Sequence, residues 1–142
     1  MRHLLILLTG VLLVGCGGEA ALRKATLSKL GRAYHGFFAR EKRTPVSIDE
    51  MEAYLLQNNK DTNAVAVLID PLRSGAILFV WQGQLSRDGE TNDKFLLGYE
   101  KNTPKEGGYM LTGGGYVDHV SPEEFAQYKP LPSGPLLIPN GQ

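Results

Sequence analysis

The stretch YMLTGGGYVDHV, residues 109–120, decides the fold of this chain. Two short segments, 109–112 and 116–120, flank three consecutive glycines and have the composition of strands. Glycine adopts positive φ without strain, and a tight hairpin needs two adjacent positions of that kind. The stretch therefore predicts two antiparallel strands joined by a turn at residues 113–115.

Further short apolar runs precede this hairpin. Residues 64–69, 76–81 and 95–99 are each bounded by Gly, Asn, Asp or Pro, and each is predicted to be a strand. In the run 76–81 we expect Ile77, Phe79 and Trp81, or their alternating neighbours, to face the core. The second half of the chain is thus expected to form an antiparallel sheet.

The first half has helical spacing. In residues 21–40, apolar side chains recur every three or four positions at Leu27, Leu30, Tyr34 and Phe37 or Phe38, while charges occupy the other face. Glycines at 31 and 36 weaken such a helix by about 1 kcal/mol each relative to alanine. Their presence is typical of close packing against a neighbouring element.

Two serines mark further helix starts. Ser47 is expected to cap the backbone N–H of Glu50, with Glu50 reaching back to Ser47, ahead of a helix at 48–57. Ser121, followed by Pro122 and by Glu124, predicts a short helix that ends near residue 128. The predicted class is α+β, with N-terminal helices packed on a small antiparallel sheet and a short C-terminal helix. The folded domain is expected at 21–129, and the Pro- and Gly-rich residues 130–142 as an extended tail.

The N-terminus has the pattern of a secretory signal. A short basic start is followed by an apolar run at 4–14, which is shorter than the roughly 20 residues that span a bilayer. The run ends in Leu13-Val14-Gly15-Cys16, which resembles the bacterial lipobox. That resemblance implies a diacylglyceryl group on the sulfur of Cys16, and removal of the signal peptide 1–15. The alternative is an ordinary signal peptide with an incidental cysteine in the core.

A lipid on Cys16 makes the membrane the first expected partner of the chain. Several acyl chains hold a protein stably to a bilayer, and residues 16–20 are then expected to be the lipidated tether. The expected location is the bacterial cell envelope. Gly17 occupies the position where an aspartate retains Gram-negative lipoproteins at the inner membrane, so the outer membrane is favoured, with the domain facing the periplasm or the exterior.

Several motifs of residues 25–128 resemble the bacterial type IV pilin and pseudopilin-like proteins, including the G-like proteins of type II secretion. They are LSKLGRAYH at 27–35, Asp70-Pro71 before the aromatic run LFVW at 78–81, LGYEK at 97–101, GGYML at 107–111, GGYV at 114–117 and PEEF at 122–125. The resemblance implies a pilin-like fold and a protein partner in the envelope or in a secretion system. Two residues depart from the family pattern, because Gly114 stands at its usual Asp and Tyr116 at its usual His. The long apolar N-terminal helix of pilins is also missing, which argues against assembly into a pilus.

Charge and cysteine content exclude several functions. Loss of residues 1–15 removes Arg2 and leaves 14 Lys and Arg against 15 Asp and Glu. Such a balance provides no general basic field for nucleic acid, whose binding depends on neutralising phosphates. An acylated Cys16, the single cysteine of the chain, leaves no thiol for a disulfide, a metal or thiolate catalysis.

Candidate catalytic groups are few in this sequence. Asp118 and His119 are neighbours in a predicted strand and should therefore point to opposite faces. His35 is expected to be a hydrogen-bonded structural histidine, and residues 113–115 to be a turn instead of a phosphate-binding loop. We therefore assign no catalytic, cofactor-binding or metal-binding residue, and expect a non-catalytic structural or interaction module. The alternative is an envelope hydrolase or small-ligand-binding lipoprotein with a site around the 113–119 hairpin.

Overall fold

A computed structural model describes residues 17–87 and 89–133. The lipobox, the signal peptide and the end of the predicted tail lie outside these ranges. The class is α+β, as the sequence predicts. In chain order the elements are α1 (Gly17–Glu41), α2 (Ile48–Asn58), α3 (Thr62–Arg73), β1 (Ile77–Phe79), α4 (Gly89–Asn92), β2 (Phe95–Glu100), α5 (Thr103–Glu106), β3 (Gly108–Thr112), β4 (Val117–Val120), α6 (Pro122–Phe125) and β5 (Lys129–Pro130).

Helix α1 buries the apolar stripe that its sequence predicts. Leu27, Leu30 and Tyr34 are fully buried, and Phe37 is nearly so. Gly31 lies directly over the side chain of Leu111 in β3, where an added Cβ would come within 2.9 Å of its Cδ1 atom. The glycine therefore lets the helix approach the sheet closely. The helix begins at Gly17, so residues 17–20 are helical, and the prediction of a tether there is wrong.

The sheet has the order β1-β2-β3-β4, and all three of these pairings are antiparallel. Leu96 and Leu97 are consecutive in β2 and are buried on opposite sides of the sheet, as the alternation of a strand requires. The register between β2 and β3 shifts between Leu96 and Gly98. Leu97 and Leu111 belong to the main core with α1, α2 and α3. This core occupies the helix-covered side of the sheet.

The opposite side of the sheet has a smaller apolar cluster. Leu96, Met110 and Val120 are buried there, and Tyr99, Phe125 and Tyr128 pack against them. Helix α6 packs on this side through Phe125. A complete capping box fixes its start: the hydroxyl of Ser121 accepts from the N–H of Glu124 at 3.2 Å, and the carboxylate of Glu124 accepts from the N–H of Ser121 at 2.8 Å. The helix ends at Phe125, three residues earlier than the sequence predicts.

Residues 64–69 are helical, so the prediction of a strand there is wrong. Helix α3 starts after Asp61, whose carboxylate accepts from the backbone N–H groups of Asn63 and Ala64 at 3.0 and 3.2 Å. Its buried residues follow helical spacing: Val65, Leu68, Ile69 and Leu72. An apolar run of this length can form either a strand or a helix. The helix is favoured here because Asp61 caps its start and because its apolar side chains are buried in the core.

The predicted tail contributes to the fold. Strand β5 pairs in parallel with the start of β2, and the N–H of Leu131 donates to the carbonyl oxygen of Leu96 at 2.9 Å. Leu131 is nearly fully buried in the main core, and Ser133 forms an isolated bridge with Gly83. The folded domain therefore extends past residue 129 to at least Ser133.

Helix α2 has the predicted cap at Ser47, with one change of partner. The hydroxyl of Ser47 accepts from the N–H of Glu50 at 3.3 Å, but the carboxylate of Glu50 accepts from the N–H of Val46 at 2.8 Å instead of that of Ser47. Arg43 binds the same carboxylate through two of its nitrogens. This hydrogen bonding holds the pKa of Glu50 below its ordinary value.

None of the helices in the described ranges has the length and apolar character required to cross a bilayer.

Candidate functional site

The turn between β3 and β4 is the centre of the candidate site. Within the hairpin, the N–H of Thr112 donates to Tyr116 O at 2.8 Å and that of Gly115 to Thr112 O at 3.0 Å, whereas the N–H of Gly113 donates to Phe95 O of β2 at 2.9 Å. Gly115 has a φ of 96°, whereas Gly113 and Gly114 do not have positive φ. The hairpin is confirmed, but the expectation of two adjacent positive-φ positions is wrong, because a single one closes the turn.

The loop after α4 brings a carboxylate onto this turn. Asn92 anchors the loop, accepting from the N–H of Ser86 at 2.8 Å and donating to the carbonyl oxygen of Ser86 at 2.9 Å. The next residue, Asp93, then places its Oδ1 atom almost where a Cβ of Gly114 would be. Asp93 is not among the candidate residues predicted from the sequence. No short-range signal marks it, because its contact with Gly114 depends on how the loop folds back.

His35 approaches the same turn from α1. Its Cδ2 and Nε2 atoms lie 3.8 Å from the position of a Cβ on Gly115. The imidazole and the Asp93 carboxylate thus reach neighbouring glycines of one turn from two different elements. The structure brings together His35 and the 113–115 turn, which are candidates from the sequence, and adds Asp93 to them.

Two atoms of this cluster are hidden from solvent without a hydrogen-bond partner. They are Nε2 of His35 and Oδ1 of Asp93. A buried polar atom left unpaired costs about 1–3 kcal/mol, so an arrangement with two of them in one place calls for an explanation. An imidazole nitrogen and a carboxylate oxygen are also the groups that general acid–base chemistry uses most. The turn is therefore the best candidate in the described residues for a small polar site.

Asp118 and His119 do not form a dyad. In β4 their cross-strand partners are Met110 and Tyr109, respectively, and these belong to opposite sides of the sheet. The His119 ring stacks edge-on against Tyr109, with 5.1 Å between ring centroids. The predicted divergence of the two side chains is confirmed, and both residues are exposed.

An ion pair between Arg23 and Glu100 links α1 to the sheet beside the ring of Tyr109. The guanidinium of Arg23 lies 3.2 Å from Oε1 of Glu100 and 5.9 Å from the centroid of the Tyr109 ring. Oε2 of Glu100 accepts from the N–H of Tyr109 at 2.7 Å. These contacts tie the first turns of α1 to the sheet, which indicates a structural role.

A cleft of about 190 Å³ lies between the end of α1 and α2. Two arginines line it, each stacked on an aromatic ring: Arg40 over Tyr54 and Arg43 over Phe37. Both already have acidic partners, Glu41 for Arg40 and Glu50 for Arg43. The positive charges of the two arginines are therefore balanced by the two glutamates, and neither arginine is left without an acidic partner to bind an anion.

Tyr34 is fully buried in the core, and its hydroxyl forms two hydrogen bonds with the backbone. Its hydroxyl donates to Val80 O at 3.2 Å and accepts from the N–H of Gly83 at 3.1 Å. Burial raises the pKa of this phenol. Both hydrogen bonds fix the segment after β1, so Tyr34 is a positioning element of the fold.

Within residues 17–87 and 89–133, no three His, Cys, Asp or Glu side chains are grouped so that they could hold a metal ion. Comparison with known proteins identified no matching family model, no matching curated protein and no matching solved structure. The likeness to pilin-like proteins therefore stays a prediction from the motifs in residues 25–128.

Proposed function

We propose that this chain is a lipid-anchored lipoprotein of the bacterial cell envelope whose domain is a non-catalytic structural or interaction module. The observation that carries the proposal is the run Leu13-Val14-Gly15-Cys16, a lipobox-like sequence that follows a short basic and apolar start. The acylated residue is Cys16, and the membrane is the first partner. A protein of the envelope or of a secretion system is the second, as the pilin-like motifs imply.

The arrangement of the titratable side chains supports the non-catalytic part of the proposal. Asp118 and His119 diverge on β4, and Glu100 is engaged by Arg23 and by a backbone N–H. Glu50 is likewise held by Arg43 and the N–H of Val46. Glu50 thus stabilises the start of α2 and Glu100 the contact of α1 with the sheet, which is the role expected of acids in a structural module.

The anchor is tested by Cys16→Ser in the full chain, expressed in a bacterium fed a radiolabelled or clickable fatty acid. We expect the wild type to incorporate the acyl label and the variant to incorporate none and to accumulate as the uncleaved precursor. Label retained by the variant would overturn the proposal. The partner is tested by crosslinking in intact cells, followed by detergent extraction, with Cys16→Ser as the matched control for contacts that need the anchor.

One observation favours a second candidate, a small-ligand binder or hydrolase centred on the 113–119 hairpin. The unpaired Nε2 of His35 and Oδ1 of Asp93 both lie against its glycine turn. The test is a panel of esterase, phosphatase, peptidase and glycosidase substrates with the wild type, His35→Gln, Asp93→Asn and His119→Gln. Turnover that is lost in the first two variants and retained in His119→Gln would establish this candidate. Turnover lost only in His119→Gln would place the chemistry on the exposed histidine.

A further inference from the structure

Helix α1 presents an unusual distribution of charge for a protein whose overall charge is balanced. Residues 20–40 contain five Lys and Arg and no Asp or Glu. Arg23 and Arg40 have acidic partners in Glu100 and Glu41. The other three cations, Lys24, Lys29 and Arg32, are exposed, and none of the ion pairs in the described part of the chain includes them.

These three cations lie on one face of the helix. At 100° per residue, Lys24, Arg32 and Lys29 fall within an arc of about 140°. This arc is opposite the buried stripe of Leu27, Leu30 and Tyr34, so it points away from the core. We call Lys24, Lys29 and Arg32 the basic face of α1.

The basic face is close to the predicted anchor. Helix α1 begins at Gly17, the residue that directly follows Cys16, so no flexible linker separates the described helix from the lipidated position. At 1.5 Å per residue, Lys24 lies about 10 Å along the helix from Gly17 and Arg32 about 22 Å. The short connection restricts the orientations that the domain can adopt on a bilayer.

We propose that the basic face of α1 docks on the anionic phospholipid headgroups of the membrane that holds the anchor, so that α1 lies along the bilayer surface. This inference rests on the proposed function, because the lipid on Cys16 brings the face to the membrane. An upright α1 would hold Lys29 and Arg32 beyond the Debye length of about 10 Å at 0.1 M salt. A helix lying along the surface brings all three cations within reach of the headgroups.

The size of the effect follows from surface electrostatics. Each Lys or Arg close to an anionic leaflet raises the equilibrium constant for docking by about five-fold. This gain disappears at high salt, because salt shortens the Debye length. Docking in this way leaves α6 and the opposite side of the sheet directed away from the membrane. At roughly 10 Å per packed layer, α6 is then about 20 Å further out than α1.

The test uses the full lipidated chain in vesicles. Acylation consumes the thiol of Cys16, so a cysteine introduced elsewhere is the single site for an environment-sensitive fluorophore. We place it at Ala25→Cys on the outward face of α1 and, as the matched control, at Ala126→Cys after α6. Nitroxide-headgroup lipid provides the quencher, in vesicles of phosphatidylcholine alone or with phosphatidylglycerol.

We expect quenching at position 25 to exceed that at 126 several-fold in the anionic vesicles, and to fall to the control level in neutral vesicles or at 1 M salt. The triple variant Lys24→Gln/Lys29→Gln/Arg32→Gln should abolish the difference. A triple variant of exposed lysines elsewhere, Lys60→Gln/Lys101→Gln/Lys105→Gln, should preserve it. Equal quenching at both positions, or the same quenching in neutral and anionic vesicles, would overturn the docking inference.

A separate readout distinguishes failure of the inference from failure of the proposed function. The intact mass of the purified chain reports whether Cys16 carries acyl groups. If the chain is acylated but the quenching does not depend on the position of the fluorophore, the proposed lipid anchor stands and the docking inference fails. A chain without acyl groups contradicts the proposed function, and its co-sedimentation with anionic but not neutral vesicles then still decides whether the basic face binds headgroups.

Discussion

The Oδ1 atom of Asp93 occupies almost the position that a Cβ atom on Gly114 would take. The carboxylate comes from the loop after α4 and the glycine from the β3–β4 turn, so the contact joins two segments that are separate in the local chain. Asn92 holds that loop by two hydrogen bonds to Ser86. The absence of a side chain at residue 114 is therefore a requirement of the packing, since the φ of Gly114 is not positive.

We predict that Gly114→Ala destabilises the domain by about 1–3 kcal/mol, the usual cost of inserting a methyl group where no space exists. The double variant Gly114→Ala/Asp93→Ala should recover most of that loss, because the atom that blocks the methyl group is gone. Chemical denaturation of the four members of this double-mutant cycle measures the coupling. Strict additivity of the two single changes would show that the loop does not lie against the turn.

A second prediction concerns the close approach of α1 to the sheet. Gly31→Ala places a methyl group 2.9 Å from a Cδ atom of the buried Leu111, so overpacking offsets the gain of about 1 kcal/mol in helix propensity. We expect a net loss of about 1 kcal/mol in the free energy of unfolding. Gly18→Ala is the control, because no atom lies within 4 Å of its Cβ position, and it should be neutral or stabilising. A stabilised Gly31→Ala would contradict the observed packing.

The start of α2 gives a third prediction. Removing the capping hydroxyl in Ser47→Ala should cost about 1 kcal/mol, because the N–H of Glu50 then loses its acceptor. The measured quantity is the urea midpoint at pH 7, compared with that of Ser74→Ala. Ser74 is exposed and follows α3, where its hydroxyl contacts neighbouring backbone only, and its loss should have a smaller effect. Equal midpoints for wild type and Ser47→Ala would show that the cap does not contribute.

The ion pair beside that cap predicts a pH dependence. Hydrogen bonding to Arg43, with a further contribution from the N–H of Val46, lowers the pKa of Glu50 in the folded state. A lowered folded-state pKa stabilises the protein above the unfolded-state value of about 4.3, and the contribution is lost as the pH falls through the folded-state pKa. Glu50→Gln should therefore lower stability at pH 7 and reduce its decline between pH 5 and 3. Glu123→Gln, an exposed acid of α6, should leave that decline unchanged.

Much of the architecture could be predicted from local patterns. The stripe of α1, the caps at Ser47 and Ser121 and the hairpin strands each depend on residues within a few positions, and the structure has all of them. The two larger differences from the prediction depend on tertiary contacts. Residues 64–69 form a helix because Asp61 caps its start and because its apolar side chains are buried in the core with residues of α1, α2 and β1. Strand β5 is not predictable from local pattern, because prolines on both sides of Leu131 are typical of an extended tail, although the N–H of Leu131 donates to Leu96 O.

The candidate site was less predictable than the fold. His35 belongs to a helix and Asp93 to a loop, and the sequence contains no spacing that relates them. Their meeting depends on the packing of α1 on the sheet and on the anchoring of the loop by Asn92. Three consecutive glycines predict a hairpin turn, but they do not predict which side chains from other elements will lie against that turn.

The proposed function depends most on Cys16. The decisive measurement is the intact mass of the mature chain, extracted in detergent from the envelope of cells that express it, together with fragment sequencing of its N-terminus. We predict a chain that starts at Cys16 and carries a diacylglyceryl group on its sulfur. A mature chain with an unmodified Cys16, or one that starts at any other residue, would contradict the proposed lipid anchor.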